Sequence, residues 1–154
     1  MKLIIDTNLW ISYLISERLD DLENLCLDRS ISIIYCDELI EEIIRIANAP
    51  RIRKRGVKEQ NVSDLVELIK LNGIKTEIKN VSGYAIRDPK DAYLLALADV
   101  VKADFLLSGD SDLLVLKRHN QTKIIPYSEF MAKYKSLLWQ LKRFFKHLLL
   151  ARLP

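Results

Sequence analysis

Short apolar runs, each followed by helical periodicity, restrict the fold of this chain more than any other feature. LIID (3–6) reads as a first strand, and NLWISYLI (8–15) and DDLENLCL (20–27) then repeat apolar residues at helical spacing. SISIIYCD (30–37) is β-branched and aromatic, a second strand. ELIEEIIRIA (38–47) follows as a helix with Leu39, Ile40, Ile43, Ile44 and Ala47 in one stripe. NVSDLVELIKLNG (61–73) is a helix capped by Ser63 or Asn61 and stopped at Gly73, and IKTEIKNV (74–81) is a short or edge strand. DPKDAYLLALADVVKA (88–103) is the most strongly periodic helix. It leads to a third buried strand, DFLLSGD (104–110), a helix, SDLLVLKR (111–118), a last strand, TKIIPY (122–127), and a final helical start, SEFMAKY (128–134). This alternation predicts a three-layer α/β/α sandwich with a mostly parallel central sheet.

The 154 residues fit one domain, without internal repeat or linker. Hydrophobic residues at 49% with only four Gly and four Pro exclude a disordered chain, and a net charge of +3 permits a polyanionic partner without demanding one. Cys26 and Cys36 form no C-x-x-C pair, and His119 and His147 are the only histidines to complete a zinc site. Both cysteines therefore read as buried thiols of a reducing compartment. The opening apolar stretch is too short for a secretory signal and ends in Asp6, and no run approaches the ~18 apolar residues of a spanning helix. The expectation is a soluble, cytoplasmic protein.

Parallel sheets bind ligands outside the carboxyl ends of their strands, and three strands here end at or next to an acid: Asp6, Asp37 and Asp110. Like charges gathered there raise one another's pKa unless a cation neutralises them. With no His or Cys among them, the chemistry favours Mg²⁺ or Mn²⁺ and a phosphodiester or phosphoryl site. Each acid also has a plainer reading. Asp6 would cap the next helix, but Thr7 or Asn8 suffices for that, so Asp6 reads as metal-binding or catalytic. Glu38, Glu41 and Glu42 share a helix. The apolar stripe puts Glu38 on the far face with Arg45, while Glu41 and Glu42 occupy opposite shoulders, and spacing does not choose between those two. Asp88, Pro89 and Asp91 resemble a capping box, yet Asp91 shares a face with Leu94 and Leu95, over the body of the fold. Asp110, or Ser111, would cap the following helix, whose first turn also favours Asp112.

Five segments in order carry a resemblance: IIDTNLWIS (4–12), CDELIEEI (36–43), RDPKDAYLLALA (87–98), DFLLSGDSDLL (104–114) and IIPYSEF (124–130). Together they resemble the PIN-domain family of metal-dependent ribonucleases, and more narrowly the toxin components of bacterial and archaeal toxin–antitoxin pairs. The resemblance spans residues 1–134. It implies a catalytic quartet of Asp6, Glu42, Asp91 and Asp110, with Asp6, Asp91, Asp110 and Asp112 toward the metal. Asn8 and Ser108 match the supporting polar positions, with Asp88 placed beside them as a further support. Cys36 stands where that family usually has Ser, which removes a hydroxyl cap. The implied activity is Mg²⁺- or Mn²⁺-dependent endonucleolytic cleavage of single-stranded or loop RNA, with a cognate antitoxin as partner.

Two segments add expectations of their own. The basic connector between the second strand's helix and the next brings Arg51, Arg53, Lys54 and Arg55 together, either as a solvated loop or as contacts to an RNA backbone. The tail 135–154 is a basic amphipathic segment for packing on the domain, on a second copy in a homodimer, on an antitoxin or on a membrane surface. Rival functions are a Mg²⁺-dependent phosphohydrolase, weakened because Asn8 replaces the second Asp of D-x-D-x-T, and a non-catalytic RNA- or protein-binding module with a vestigial acidic site.

Overall fold

The structure is a computed structural model that describes residues 1–16, 19–79, 83–84 and 86–134. Strand β1 (Lys2–Ile5) leads into α1 (Thr7–Ser16) and α2 (Leu19–Leu27), then β2 (Ser32–Tyr35), α3 (Asp37–Ala47), α4 (Pro50–Arg53), α5 (Glu59–Asn72) and β3 (Ile74–Lys75). After a 3-10 turn at Pro89–Asp91 come α6 (Ala92–Val101), β4 (Phe105–Leu107), α7 (Ser111–Leu114), β5 (Arg118–His119) and β6 (Thr122–Ile125). A further helix, α8, is described from 127 to 134. The amphipathic reading of 135–154 lies outside the described residues.

The six strands lie in the order β3-β2-β1-β4-β6-β5, and every pair is parallel except β5 with β6. The expected mostly parallel α/β/α sandwich is thus what forms. Going from β1 through β2 to β3 the chain moves one way across the sheet, and from β3 to β4 it returns past β1. Right-handed crossovers then put α1 to α5 on one face and α6 on the other. The reversal lies between β1 and β4, the switch point at which open parallel sheets leave a crevice. Leu3, Ile4 and Ile5 of β1 are all buried, as a strand covered on both faces requires. Helix α6 is buried from Ala92 through Ala98, so its seven consecutive covered residues fix its start firmly against the sheet.

Several boundaries differ from expectation. α5 begins at Glu59, not after Asn61 or Ser63; Lys58 is its cap residue, and the Asn61 Oδ1 accepts the Lys58 N–H at 2.9 Å. The connector contains the single turn α4, started by Pro50, because proline supplies a helical φ without needing its missing N–H. The helix expected over 111–118 stops at Leu114, and Lys117 with φ +57° turns the chain into β5. This two-residue antiparallel edge strand had no alternating pattern to reveal it. Cys36 forms no side-chain cap on α3, as its missing hydroxyl implies. Burial pushes the Cys36 thiol up to about 12 and the Cys26 thiol up to about 11, the state of inert core cysteines.

Trp10 joins β1 to α1: its ring is buried and its Nε1 donates to the Ile5 carbonyl at 3.0 Å. Trp10→Ala should cost about 3–5 kcal/mol of unfolding free energy, the usual loss for a buried large aromatic. Urea titration followed by circular dichroism measures it.

Candidate active site

The register of β1 and β4 brings their last residues side by side, Ile5 with Leu107. The next residues, Asp6 and Ser108, are therefore neighbours at the crevice. The Asp6 N–H donates to the Leu107 carbonyl at 2.9 Å, and its carboxyl is 2% exposed. Ser108 Oγ, itself buried, donates to Asp6 Oδ2 at 2.6 Å and accepts the Asp110 N–H at 2.9 Å. One hydroxyl thus ties the acid of β1 to the acid after β4. Asp6 also caps α1, since its Oδ1 accepts the Asn8 N–H at 3.2 Å. That corrects the expectation that Thr7 or Asn8 takes the cap. Asn8 is exposed, and with Asp110 and Ser111 it lines a depression of about 400 Å³.

Asp110 accepts the Asp112 N–H at 2.7 Å, so it caps α7 while facing the crevice. Asp112 pairs with the exposed Arg87 at 3.2 Å. Asp88 holds the 3-10 turn by accepting the Lys90 N–H at 3.0 Å. Asp91, where α6 starts, makes no such cap. The capping box expected there is therefore half formed, and the other half, Asp91, is the acid on which Asp6, Asp110, Asp88 and Glu42 act. Asp37 does not join them: it is exposed and pairs with Lys75 at 2.8 Å.

Among the three glutamates of α3, the fold separates what helical spacing left open. Glu38 and Glu41 are exposed, whereas Glu42 is half-buried. Its Oε2 accepts the Tyr93 hydroxyl at 2.8 Å and the Thr7 hydroxyl at 3.2 Å, and its Oε1 accepts Arg45 Nη2 at 2.9 Å. Sequence reasoning passed over Thr7 and Tyr93. Thr7 adjoins Asp6, and Tyr93 is the single hydroxyl in the apolar run after Asp91, which was the available signal. A depression of about 390 Å³ opens beside this group, reaching Lys90 and Pro89.

Charge is concentrated here. Burial pushes the Asp6 carboxyl above its ordinary range, against the hydrogen bonds from Ser108 and the Asn8 N–H, and the charges of Asp110 and Glu42 push it the same way. Burial, then the charges of Asp6, Asp110, Asp88 and Glu42, push Asp91 up to about 7. Among the described residues, no three Asp, Glu, His or Cys side chains stand as a ready-made metal-holding group. The donor chemistry nonetheless suits a hard cation: the side chains offer oxygen ligands only, and burial together with neighbouring negative charge raises Asp91.

Away from the crevice, Arg53 is engaged internally, donating to Val57 O at 3.3 Å and to Asn48 Oδ1. Arg51, Lys54 and Arg55 are exposed. This connector follows the end of α3 at Ala47, about 7.5 Å of helix rise beyond Glu42.

A family model described as PIN domain matches residues 2–112, the stretch from β1 to Asp112 that contains every acid of the crevice. No curated protein matches the chain. Among solved structures, a chain of VapBC2 from Rickettsia felis, bound to a DNA fragment from their promoter, superposes with a TM-score of 0.51. The sequence identity is 12%, and the alignment covers 80% of this chain and 97% of that one. At such identity the likeness concerns the fold.

The raised Asp91 carboxyl sets the pH dependence of the metal-free protein. The folded chain keeps that proton to about pH 7, whereas the unfolded carboxyl releases it near 3.8. The folded state therefore binds more protons between those values, and its stability falls as pH rises through them. Without divalent ions, the melting temperature should fall between about pH 4 and 7, and Asp91→Asn should flatten that slope. Thermal melts of the two proteins in a chelating buffer series test this.

Proposed function

The chain belongs to the PIN-domain family, and from that premise we propose that it is a Mg²⁺- or Mn²⁺-dependent endoribonuclease acting on single-stranded or loop RNA. What supports this reading is the Ser108 hydroxyl shared by Asp6 and the Asp110 backbone beside the β1/β4 switch point, together with the charges of Asp6, Asp110 and Glu42 acting on Asp91. Asp6, Glu42, Asp91 and Asp110 would hold the cation, with Asp112 beside Asp110. When bound, the ion supplies Lewis-acid neutralisation at the phosphate and lowers the pKa of water to give a nucleophile at neutral pH.

The chain's own residues do the rest. Ser108 fixes the direction of Asp6 and the backbone of Asp110 with one hydroxyl. Glu42, with three donors on its carboxylate, is held in orientation and is suited to orient a water by accepting its proton in a hydrogen bond. The two depressions, at Asn8 and Asp110 and at Glu42 and Tyr93, give an RNA strand a path past the acids. Exposed Arg51, Lys54 and Arg55 extend that path as phosphate contacts. Residues 1–134 form the nuclease unit in this reading, with 135–154 as a basic appendage.

The toxin role of a toxin–antitoxin pair, with a cognate antitoxin as partner and the cytoplasm as location, is the biological setting this proposal includes. The fold likeness to a chain of VapBC2 supports it. In keeping with that setting, no described helix is long and apolar enough to cross a membrane.

Purified protein should cleave a labelled single-stranded RNA in Mn²⁺ or Mg²⁺. EDTA, Asp6→Asn and Asp110→Asn should each reduce the rate to background, at least about 100-fold, with far-UV circular dichroism unchanged. Cleavage surviving in both variants would overturn the assignment of the acids.

A further inference from the structure

We propose that Tyr93 is a positioning residue for Glu42: with Thr7 it claims Oε2 for the fold and leaves Oε1 as the one oxygen that Glu42 offers to a cation or a water. The inference rests on the metal-dependent reading above. Thr7, Tyr93 and Glu42 form a closed triangle, with 3.1 Å between the two hydroxyls and 2.8 and 3.2 Å from them to Oε2. Two hydroxyl protons serve three contacts. The shortest contact takes the Tyr93 proton to the carboxylate, and the Thr7 proton goes to Oε2 or to the Tyr93 oxygen. Both hydroxyl residues are buried, Thr7 at 1% and Tyr93 at 7% exposure. If Glu42 turned away, one hydroxyl could donate to the other but the second would lose its acceptor in the triangle, which favours the carboxylate's orientation.

The two sides of Glu42 differ in kind. Tyr93 stands in α6, buried from Ala92 to Ala98, and Thr7 starts α1 directly after Asp6. Rigid elements therefore hold Oε2. Oε1 faces the Arg45 guanidinium, whose side chain is 66% exposed and belongs to the same helix. An exposed pair three residues apart is weak and screened by salt, so Arg45 is an exchangeable cover over Oε1. The signs of the two substitutions therefore oppose one another: losing Tyr93's hydroxyl frees Glu42 to wander, while losing Arg45's charge uncovers the oxygen in use. Outer partners of this kind typically change metal affinity 10- to 100-fold when removed.

Mn²⁺ titration of the full chain by calorimetry tests this, with a thermal melt of every variant. Tyr93→Phe should weaken Mn²⁺ binding by about 10- to 100-fold and lower kcat on single-stranded RNA while leaving KM unchanged. Arg45→Gln should tighten Mn²⁺ binding. Thr7→Val, which keeps the side-chain volume, should weaken it like Tyr93→Phe and serves if that variant does not fold. Tyr84→Phe is the control: Tyr84 donates to Asp99 at 3.2 Å, outside the crevice, and its loss should leave affinity at the wild-type value. Wild-type affinity in Tyr93→Phe or Thr7→Val, or equal weakening by Tyr93→Phe and Arg45→Gln, overturns the inference and leaves the nuclease reading standing. A wild-type protein that binds no Mn²⁺ overturns both.

Discussion

A carboxylate buried at the end of a central strand is an expensive placement, and the hydrogen bond from Ser108 to Asp6 is what makes it tenable here. Asp6 is almost wholly covered, and burial disfavours its charge. A buried hydroxyl at 2.6 Å, a backbone N–H at 3.2 Å and the start of α1 offset part of that cost. The same Ser108 oxygen orders the turn before Asp110. Strand order, register and the turn after β4 therefore all converge on one contact. If β4 slipped by one residue against β1, Ser108 would point to the opposite side of the sheet and the acids would part.

The remaining acids reach the same crevice from both faces of the sheet. α3 delivers Glu42 from one side, and α6, entered through the 3-10 turn, delivers Asp91. Glu42 is hydrogen-bonded locally by Arg45 and two hydroxyls. Asp91, placed by a helix packed over seven consecutive residues, makes no side-chain cap, and burial and then the charges of its neighbours raise it. Such unequal treatment of neighbouring carboxylates, one satisfied and one strained, is the electrostatic pattern of functional sites more than of structural ion pairs. It is stored by the packing of α6, which cannot rotate to relieve it without opening the core.

Much of this was legible in the chain. The apolar strands, the helices between them and the acids at their ends are visible because parallel strands are continuously hydrophobic and their ends are where polarity returns. Asp6 and Asp110 stood out for that reason. Glu42 did not: Glu38, Glu41 and Glu42 differ on a helix only by rotation, and the stripe of α3 left two shoulders equivalent. The resemblance, of which the family model's residues 2–112 cover the first three segments and most of the fourth, implied Glu42, and Thr7 and Tyr93 are the hydroxyls that distinguish Glu42 from its two neighbours in the fold. Asp37 failed in the other direction. It ends a strand as Asp6 does, but β2 lies one strand away from the reversal in chain direction, and Asp37 pairs with Lys75 at the surface.

By itself the sequence determined the class of fold, the number and kind of acids, and the oxygen-only chemistry they imply, because periodicity and side-chain type are local properties. Which acids come near one another, that Asp6 and Asp91 are left with raised pKa values, and which hydroxyls hold Glu42 were decided only by tertiary structure. Those outcomes depend on distances across chain separations of 102 residues for Asp6 and Ser108 and 51 for Glu42 and Tyr93. No local pattern encodes such distances; the sheet order and the burial of α6 set them.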